Sequence, residues 1–324
     1  MNKDERLEQE IKKKLVPLRI WCGIVNGSLG LFCLSVLLLI LSIFLKPGMA
    51  ILTVFIVMCV VSSVLVITLG IKVGSKVLAF REYIKNNVMK PIFESYFDNI
   101  TYFPKHYNTG CQGEGNIMVE GWSLAEGEDL IQGVYKDVPF TFSNTELFHV
   151  RANGNKVPLF KGQWLTFDFK VPLERAIILR ERNFKHRTFR GKAHAKTLQK
   201  QKSRKERDKH ISINTDSTEF NKKFFIISED QHMVFYVLTP HFMEFLFHLD
   251  EAVEADTSVC FAGTKANFAF NNNKYMFDFK SNKIFSNNLL EEFKEQCHRE
   301  AKCITAIIEE LLINETLFEK RGGN

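Results

Sequence analysis

Two long stretches without charged side chains lie near the start of the chain, and they restrict its fold more than any other feature. Residues 20–45 and 47–71 contain no Asp, Glu, Lys or Arg, and Lys46 stands between them. A helix needs about 20 apolar residues to cross the hydrocarbon core of a bilayer, and each stretch is long enough. A signal peptide has a shorter apolar core and fits less well. The sequence therefore predicts a transmembrane hairpin, with helices at 20–45 and 49–71 and a short external turn at 46–48.

The basic residues beside these stretches predict the orientation of the hairpin. Residues 1–19 carry six Lys and Arg and residues 72–90 carry five, whereas the turn has only Lys46. Cytoplasmic flanks of transmembrane helices carry the excess of basic residues. We therefore expect a multi-pass protein of the inner or plasma membrane, with both termini cytoplasmic and 1–19 as a basic N-terminus. In that compartment the seven cysteines are expected to be reduced.

A step of small residues lies in the first apolar stretch. Gly23 and Gly27 are four residues apart, and Asn26 lies beside them. Small residues at this spacing let two helices approach closely, and a polar side chain there can hydrogen-bond across. We expect this step to pack within the hairpin rather than to form a dimer interface.

The remaining residues, 72–324, predict an α+β cytoplasmic domain of antiparallel strands with packed helices, because runs of strands are followed by helices. Apolar residues three and four apart predict a helix that continues from the second span through 72–98, and a long amphipathic C-terminal helix at 287–318. Lys136-Asp137, between two apolar segments, predicts a β-hairpin.

Further local signals predict strands and helix ends in the second half. Ser228 is expected to cap a helix that runs to Leu238, and Thr239-Pro240 is expected to start the next one. Gly263-Thr264 is expected to be the turn of another hairpin. Strands are expected at 164–169, 176–179, 224–227 and 275–279.

The insertion 180–210 differs in charge from everything around it. It contains 13 Lys and Arg against three acidic residues, whereas the rest of 72–324 has 23 basic and 30 acidic residues. With so few apolar residues it cannot bury enough surface to fold alone, and we expect a loop or a solvated helix. Its basic residues are the candidate lipid- or polyanion-binding residues: Arg180, Arg182, Lys185, Arg187, Arg190, Lys192, Lys196, Lys200, Lys202, Arg204, Lys205, Arg207 and Lys209.

Several partners fit such a basic insertion. Anionic lipid headgroups attract basic residues near the cytoplasmic leaflet, and an acidic protein partner or the domain's own acidic face would do the same. Nucleic acid would be held through its phosphates, but only Phe184 and Phe189 are interleaved with the charges, too few for base stacking. The simplest alternative is a solvated loop that aids solubility.

A set of motifs in the second half resembles a known family. The segment 219–224 (Glu-Phe-Asn-Lys-Lys-Phe) is followed by Asp230 and by 238–243 (Leu-Thr-Pro-His-Phe-Met), and 160–162 and 168–170 match an earlier block. With the pair of apolar stretches, these motifs resemble the bacterial membrane family catalogued as domain of unknown function 3137. The resemblance implies a bacterial membrane protein with a cytoplasmic domain, and it offers no catalytic residues.

No group of residues predicts a catalytic, cofactor or metal site. Cys111 lies near His106 in sequence and is the best candidate for a nucleophile, although a plain loop thiol is the simpler interpretation. His232, His241 and His248 lack the spacing of zinc ligands. The glycines at 110–115 and the Gly263-Thr264-Lys265 segment lack the order of a phosphate-binding loop and are interpreted as turns.

Three functions remain open from the sequence. The first is a non-catalytic membrane-anchored binding or scaffold protein whose basic insertion docks on lipid or on an acidic partner. The second is a membrane-tethered enzyme with a site in a cleft, and the third is a nucleic-acid binder that uses the insertion. We favour the first because it needs only features visible in the sequence.

Overall fold

The computed structural model describes residues 3–45, 48–182, 211–277, 283–286, 288–314 and 317. The chain divides into two compact units. Unit 1 consists of Met1–Pro91 and Phe279–Gln296, and unit 2 consists of Ile92–Asp278 and Cys297–Asn324.

Unit 1 is built on two long helices, α1 (Lys3–Leu45) and α2 (Met49–Ile84). The second continues through a π-helical turn at Lys85–Met89 into α3 (Lys90–Glu94), so it runs past residue 71 as expected and ends shortly before 98. Both helices are long and apolar enough to cross a membrane. At 1.5 Å per residue α1 is about 65 Å long, roughly twice the thickness of a hydrocarbon core.

The two helices meet along a seam with a seven-residue repeat. Ser28, Ser35 and Ser42 of α1 are buried at this spacing, which is typical of a left-handed coiled coil. Each serine hydroxyl donates to the backbone carbonyl three residues earlier, and the hydroxyls of Ser35 and Ser62 are 3.2 Å apart. Small side chains whose hydroxyls are already bonded therefore let the helices approach closely.

The glycine step does not take part in this seam, so the expected packing was wrong. Gly23 and Gly27 are exposed, and a Cβ on either would meet no atom within 4 Å. Asn26 is exposed on the same face, and no hydrogen bond joins it to the described part of α2. The repeat of serines every seven residues decides which face of α1 packs.

Polar contacts tie the charged end of α1 to the C-terminal segment of unit 1. The Arg19 guanidinium donates to the carbonyl oxygens of Ile284 (2.7 Å) and Ser286 (2.6 Å), which lie in and just after a 3₁₀ turn at Lys283–Phe285. The Lys294 ammonium lies 2.7 Å from the Glu8 carboxylate. Together these contacts fix two chain segments that are far apart in sequence.

Unit 2 contains a seven-stranded antiparallel sheet. Its strands are β1 (Asp98–Phe103), β2 (Leu124–Tyr135), β3 (Val138–Val150), β4 (Lys156–Glu181), β5 (Ile211–Ile213), β6 (Phe224–Ser228) and β7 (Asp256–Asn271). The order is β1-β2-β3-β4-β6-β5, and β7 also pairs with β4. The hairpin expected at Lys136-Asp137 is confirmed, because both residues have positive φ, as a tight primed turn requires.

The strands β4 and β7 pair along most of their length, and both are bent. Register shifts flank Leu173 of β4, which pairs with Gly263 of β7, where φ is +57°. Such irregularities bend a strand and increase its twist. The hairpin expected at Gly263-Thr264 was therefore wrong, because this glycine bends one continuous strand. The strand expected at 275–279 was also wrong for 275–277: none of these residues is in a strand, and 276 and 277 form a turn. Residues 278 and 279 lie outside the described residues.

Unit 2 contains the helices α4 (Thr218–Lys223), α5 (Gln231–Val237), α6 (Pro240–Val253) and the later part of α7 (Leu289–Ile313). The first three begin at polar caps. Thr239 caps α6 as expected, since its hydroxyl accepts from the Phe242 amide. The cap of α5 is Asp230 and not Ser228, because Ser228 ends β6 and its hydroxyl donates to the Ala176 carbonyl.

Phenylalanine rings fill much of the core of unit 2. Ring centroids are 4.7 Å apart for Phe97 and Phe140, 5.7 Å apart for Phe167 and Phe268, and 6.0 Å apart for Phe242 and Phe261. The amphipathic face predicted for the C-terminal helix is confirmed. Its buried residues in unit 2 are Cys297, Ala301, Ile304, Ile307, Ile308 and Leu311.

We expect Gly162→Ala to destabilise unit 2, because an alanine Cβ would overlap the carbonyl oxygen of Phe270 on β7. Overpacking of this kind typically costs about 1–3 kcal/mol. Thermal unfolding of the full chain in a neutral detergent, followed by tryptophan fluorescence, measures the loss. The control is Lys170→Ala, at an exposed position of the same strand. Equal Tm values for the two variants would show that β4 and β7 do not pair this closely.

Candidate functional site

The basic insertion leaves unit 2 at the end of β4 and returns at β5, and we name this place the insertion root. It consists of the end of β4, the segment 211–217, α4 and β6. Antiparallel pairing holds it together, since Glu181 pairs with Phe224 of β6 and the Arg182 amide donates to the Lys223 carbonyl (2.7 Å). The two ends of the insertion are therefore anchored on neighbouring strands.

Arg180 is a candidate anion-binding residue that the structure holds within unit 2. Its guanidinium donates to the carbonyl oxygen of Ile117 (3.0 Å) and to the Glu120 carboxylate (3.2 Å). Its side chain is 17% exposed. The positive charge of Arg180 thus already has a partner inside the protein.

Arg182 is held differently. Its Nε donates to the Asn221 carbonyl (2.6 Å), and its guanidinium lies 5.4 Å from the centre of the Phe225 ring. It lines an open hollow of about 460 Å³ together with Asn214, Thr218, Asn221 and Lys222. The end of β4 thus turns one arginine inward and presents the other to this hollow.

The remaining candidate residues lie outside the described residues, so their role in binding lipid or another polyanion stays a prediction. They are Lys185, Arg187, Arg190, Lys192, Lys196, Lys200, Lys202, Arg204, Lys205, Arg207 and Lys209. The expectation of a loop or solvated helix in the insertion lies there as well.

An acidic group lies beside the insertion root, and it was not found from the sequence. Burial, with the nearby charges of Asp250 and Asp256, raises the pKa of Glu181 to about 7. The Thr257 amide donates to Glu181 (3.3 Å). The Lys223 ammonium lies 2.8 Å from one oxygen of Asp250, whose other oxygen is buried without a hydrogen-bond partner among the described residues.

No sequence signal connects these acidic residues. They come from β4, α6 and β7, and each looks like an ordinary surface carboxylate when the sequence is read alone. Only the pairing of β4 with β7 and the packing of α6 bring them together. The end of β4 therefore has basic side chains on one side and this cluster of acidic side chains on the other.

Cys111 and His106 do not form a catalytic pair. Cys111 is buried, its thiol donates to the Asn108 carbonyl (3.4 Å), and burial raises its pKa to about 12. His106 is exposed and contacts the Phe103 ring. A thiol that stays protonated is not a nucleophile, so the interpretation as a structural cysteine is the better one.

The two histidines of α6 lie close to carboxylates. His241 Nδ1 lies 2.6 Å from the Glu310 carboxylate of α7, and His248 lies 4.0 Å from carboxylates of its own helix. Within the described ranges, no three His, Cys, Asp or Glu side chains are placed to hold a metal ion.

Two glycines of the segment 110–115, Gly110 and Gly115, allow close packing. A Cβ on Gly115 would lie 2.6 Å from the Trp164 ring, and a Cβ on Gly110 would lie 2.5 Å from the Thr166 hydroxyl. Asn267 accepts from both the Trp164 indole (3.2 Å) and the Thr166 hydroxyl (2.8 Å). The segment therefore lies directly on a buried polar network of the sheet.

Comparison with known proteins supports the family resemblance. The model of a family described as "Protein of unknown function (DUF3137)" covers most of β4, the insertion root, α5, α6, β7 and nearly all of α7. Residues 158–312 match that family. The resemblance inferred from the motifs is confirmed over this segment.

Other comparisons add little. Among curated proteins none matches the chain. Among solved structures, the crystal structure of the mycobacterial trehalose monomycolate transport factor A, TtfA, is 8% identical. The alignment covers 68% of this chain and 94% of that chain, with a TM-score of 0.33. This likeness is too weak to support an argument about fold or function.

We expect Glu181→Gln to remove part of the pH dependence of stability. The folded-state pKa of Glu181 is about 7 and its ordinary value is 4.5, so the folded chain keeps a proton that the unfolded chain loses between these values. The wild type should therefore lose stability as pH rises from 5 to 8. After allowance for the half-exposed position, the variant should be more stable at pH 8 by about 1–2 kcal/mol.

Thermal unfolding of the full chain in neutral detergent at both pH values measures this difference. The matched control is Glu174→Gln, at an exposed position of the same strand. If the stabilities of Glu181→Gln and Glu174→Gln depend on pH in the same way, Glu181 does not hold a proton at neutral pH.

Proposed function

We propose that this protein is a membrane-anchored, non-catalytic binding or scaffold protein whose basic insertion attaches unit 2 to anionic lipid headgroups. The observation that carries the proposal is the segregation of charge. The insertion 180–210 has a net charge of +10, and the rest of 72–324 has a net charge of −7. Both ends of that insertion are anchored at one place, the insertion root.

The apolar helices support the membrane anchor. Unlike helices in the core of a soluble protein, α1 and α2 expose large apolar side chains along their uncharged stretches, among them Leu31, Leu37, Val54 and Val61. Such surfaces are covered by lipid or by another protein. In the proposed arrangement, 20–45 and 49–71 cross the bilayer.

The proposed topology follows from charge. Residues 46–48 form the external turn, and the basic N-terminus 1–19 and the domain 72–324 lie in the cytoplasm, since basic residues flank the hairpin at that end. Because α1 is about twice as long as a membrane crossing, its charged part extends out of the hydrocarbon core.

Only some of the basic residues of the insertion are needed to attach it to an anionic membrane. A basic residue near an anionic leaflet gains about 1 kcal/mol, and the attraction falls off over a Debye length of roughly 8–10 Å. Even a few of the 13 basic residues would hold the insertion on the membrane against the repulsion of the acidic remainder. The hairpin already keeps the chain at the membrane, so the insertion does not have to bring it there.

We expect the hairpin turn 46–48 to face the outside of the cell and the domain 72–324 to lie in the cytoplasm. In a cysteine-free background, Gly48→Cys should react with a membrane-impermeant maleimide in intact cells. Ser75→Cys, an exposed position in the cytoplasmic extension of α2, should react only after permeabilisation. A C-terminal tag that is accessible in intact cells would contradict the proposed topology and the lipid attachment that depends on it.

We expect salt-sensitive attachment to anionic bilayers. The full chain is placed in nanodiscs of phosphatidylcholine, or of phosphatidylcholine with an equal part of phosphatidylglycerol, with an environment-sensitive fluorophore at Thr197→Cys in a cysteine-free background. The fluorophore should enter a less polar environment only in the anionic discs, and high salt should reverse the change.

Two variants sharpen this measurement. Replacing the basic residues at 185–209 by Gln should abolish the effect, whereas a scrambled sequence of 183–210 with the same composition should keep it, because the attraction depends on charge and not on order. An equal signal in neutral and anionic discs would contradict the proposal. Loss of the signal on scrambling would show that the order of the residues matters, and it would contradict attachment by charge alone.

A further inference from the structure

The hollow at the insertion root has the composition of an anion site. Its lining contains two cationic side chains, Arg182 and Lys222, and three neutral polar side chains, Asn214, Thr218 and Asn221. No carboxylate is among these lining residues. Three acidic residues lie close to the lining residues in sequence, Glu181, Asp216 and Glu219, and none of them lines the hollow.

The two cations have hydrogen-bonding capacity left over. Arg182 uses its Nε for the Asn221 carbonyl, and its two terminal nitrogens make no hydrogen bond with any described residue. Lys222 is exposed and forms no ion pair within the described ranges. By contrast the adjacent Lys223 is neutralised by Asp250 at 2.8 Å, and Arg180 by Glu120 at 3.2 Å.

The geometry around Arg182 is preorganised by Asn221. The side-chain oxygen of Asn221 accepts from the Thr215 amide (2.9 Å) and hydroxyl (3.1 Å), and its nitrogen donates to the Thr215 carbonyl (2.6 Å). The backbone carbonyl of the same asparagine orients Arg182. Asn221 thus locks one wall of the hollow and positions the cation, which lowers the entropy cost of binding a ligand.

The carboxylates beside the insertion root contact other elements. Glu181 accepts from Thr257 of β7, and Asp250 pairs with Lys223 and lies on α6. Arg182 instead contacts Asn221 of α4 and the Phe225 ring of β6. The hollow therefore presents a planar guanidinium and an ammonium to the same space, a combination suited to the oxygens of a phosphate group.

We propose that this hollow binds a phosphate group, and that the phosphate of an anionic lipid headgroup docks there while the insertion lies on the bilayer. The inference rests on the proposed function and adds a defined site to it. Free phosphate has the same chemistry as the headgroup, so the experiment includes both sources.

The test uses isothermal titration calorimetry on the full chain in a neutral detergent. Inorganic phosphate and a short-chain phosphatidylglycerol below its micelle concentration are the two probes. The double variant Arg182→Gln/Lys222→Gln should weaken binding of the lipid probe by about tenfold or more, because it removes two charge-assisted contacts. Lys170→Gln, an exposed cation on β4, is the matched control and should bind as the wild type does.

The single variant Lys222→Gln guards against loss of folding, because its side chain is exposed; it should weaken binding with an unchanged Tm. Binding of both probes, or of the lipid alone, supports the proposal. The proposal is overturned if neither probe binds, if phosphate alone binds, or if the double variant binds both probes as tightly as the wild type.

Different results would contradict the phosphate site and the attachment of the insertion to anionic lipid. With the basic residues at 185–209 replaced by Gln, the hollow is intact, so the short-chain lipid should still bind while attachment to anionic nanodiscs is lost. If instead the wild type binds the short-chain lipid and shows no preference for anionic discs, the site stands and the proposed function falls.

Discussion

The pairing of β4 with β7 is the interaction on which unit 2 depends. Gly162 allows the backbones to come together at one end of the pair, and Gly263 bends β7 opposite the irregular part of β4. This bend lets β3 pair with the first half of β4 and β6 with the second half. The end of β4 is thereby brought to α4, and the insertion root exists only because of it.

The elements that were predicted correctly are those specified by neighbouring residues. The turn at Lys136-Asp137 and the cap at Thr239 depend on local backbone geometry, and the amphipathic C-terminal helix depends on a repeat within one helix. The bend at Gly263 was mistaken for a turn because a glycine permits both. The pairing partner β4 decides between them: it lies some ninety residues earlier and pairs with β7 on both sides of Gly263, so the strand continues through the glycine.

At the seam of unit 1 and at the insertion root, too, local sequence patterns did not predict which residues come together. Glycines four residues apart predicted close packing in α1, but the two helices pack by a repeat of seven, and the serines supply it. At the insertion root the basic residues were evident as a run. The group of Glu181, Asp250 and Asp256 was not evident, because its members are far apart in sequence and meet only in the folded unit.

Charge of both signs at the insertion root has a physical consequence for a protein held at a membrane. In the proposed arrangement, an anionic leaflet repels the domain outside 180–210, which is acidic, and attracts the insertion. Opposite forces on two parts of one tethered body give it a preferred orientation as well as an attachment. Since Arg182 lies where the two parts join, a phosphate held there would fix that orientation more sharply than a diffuse charge, whose attraction has no direction.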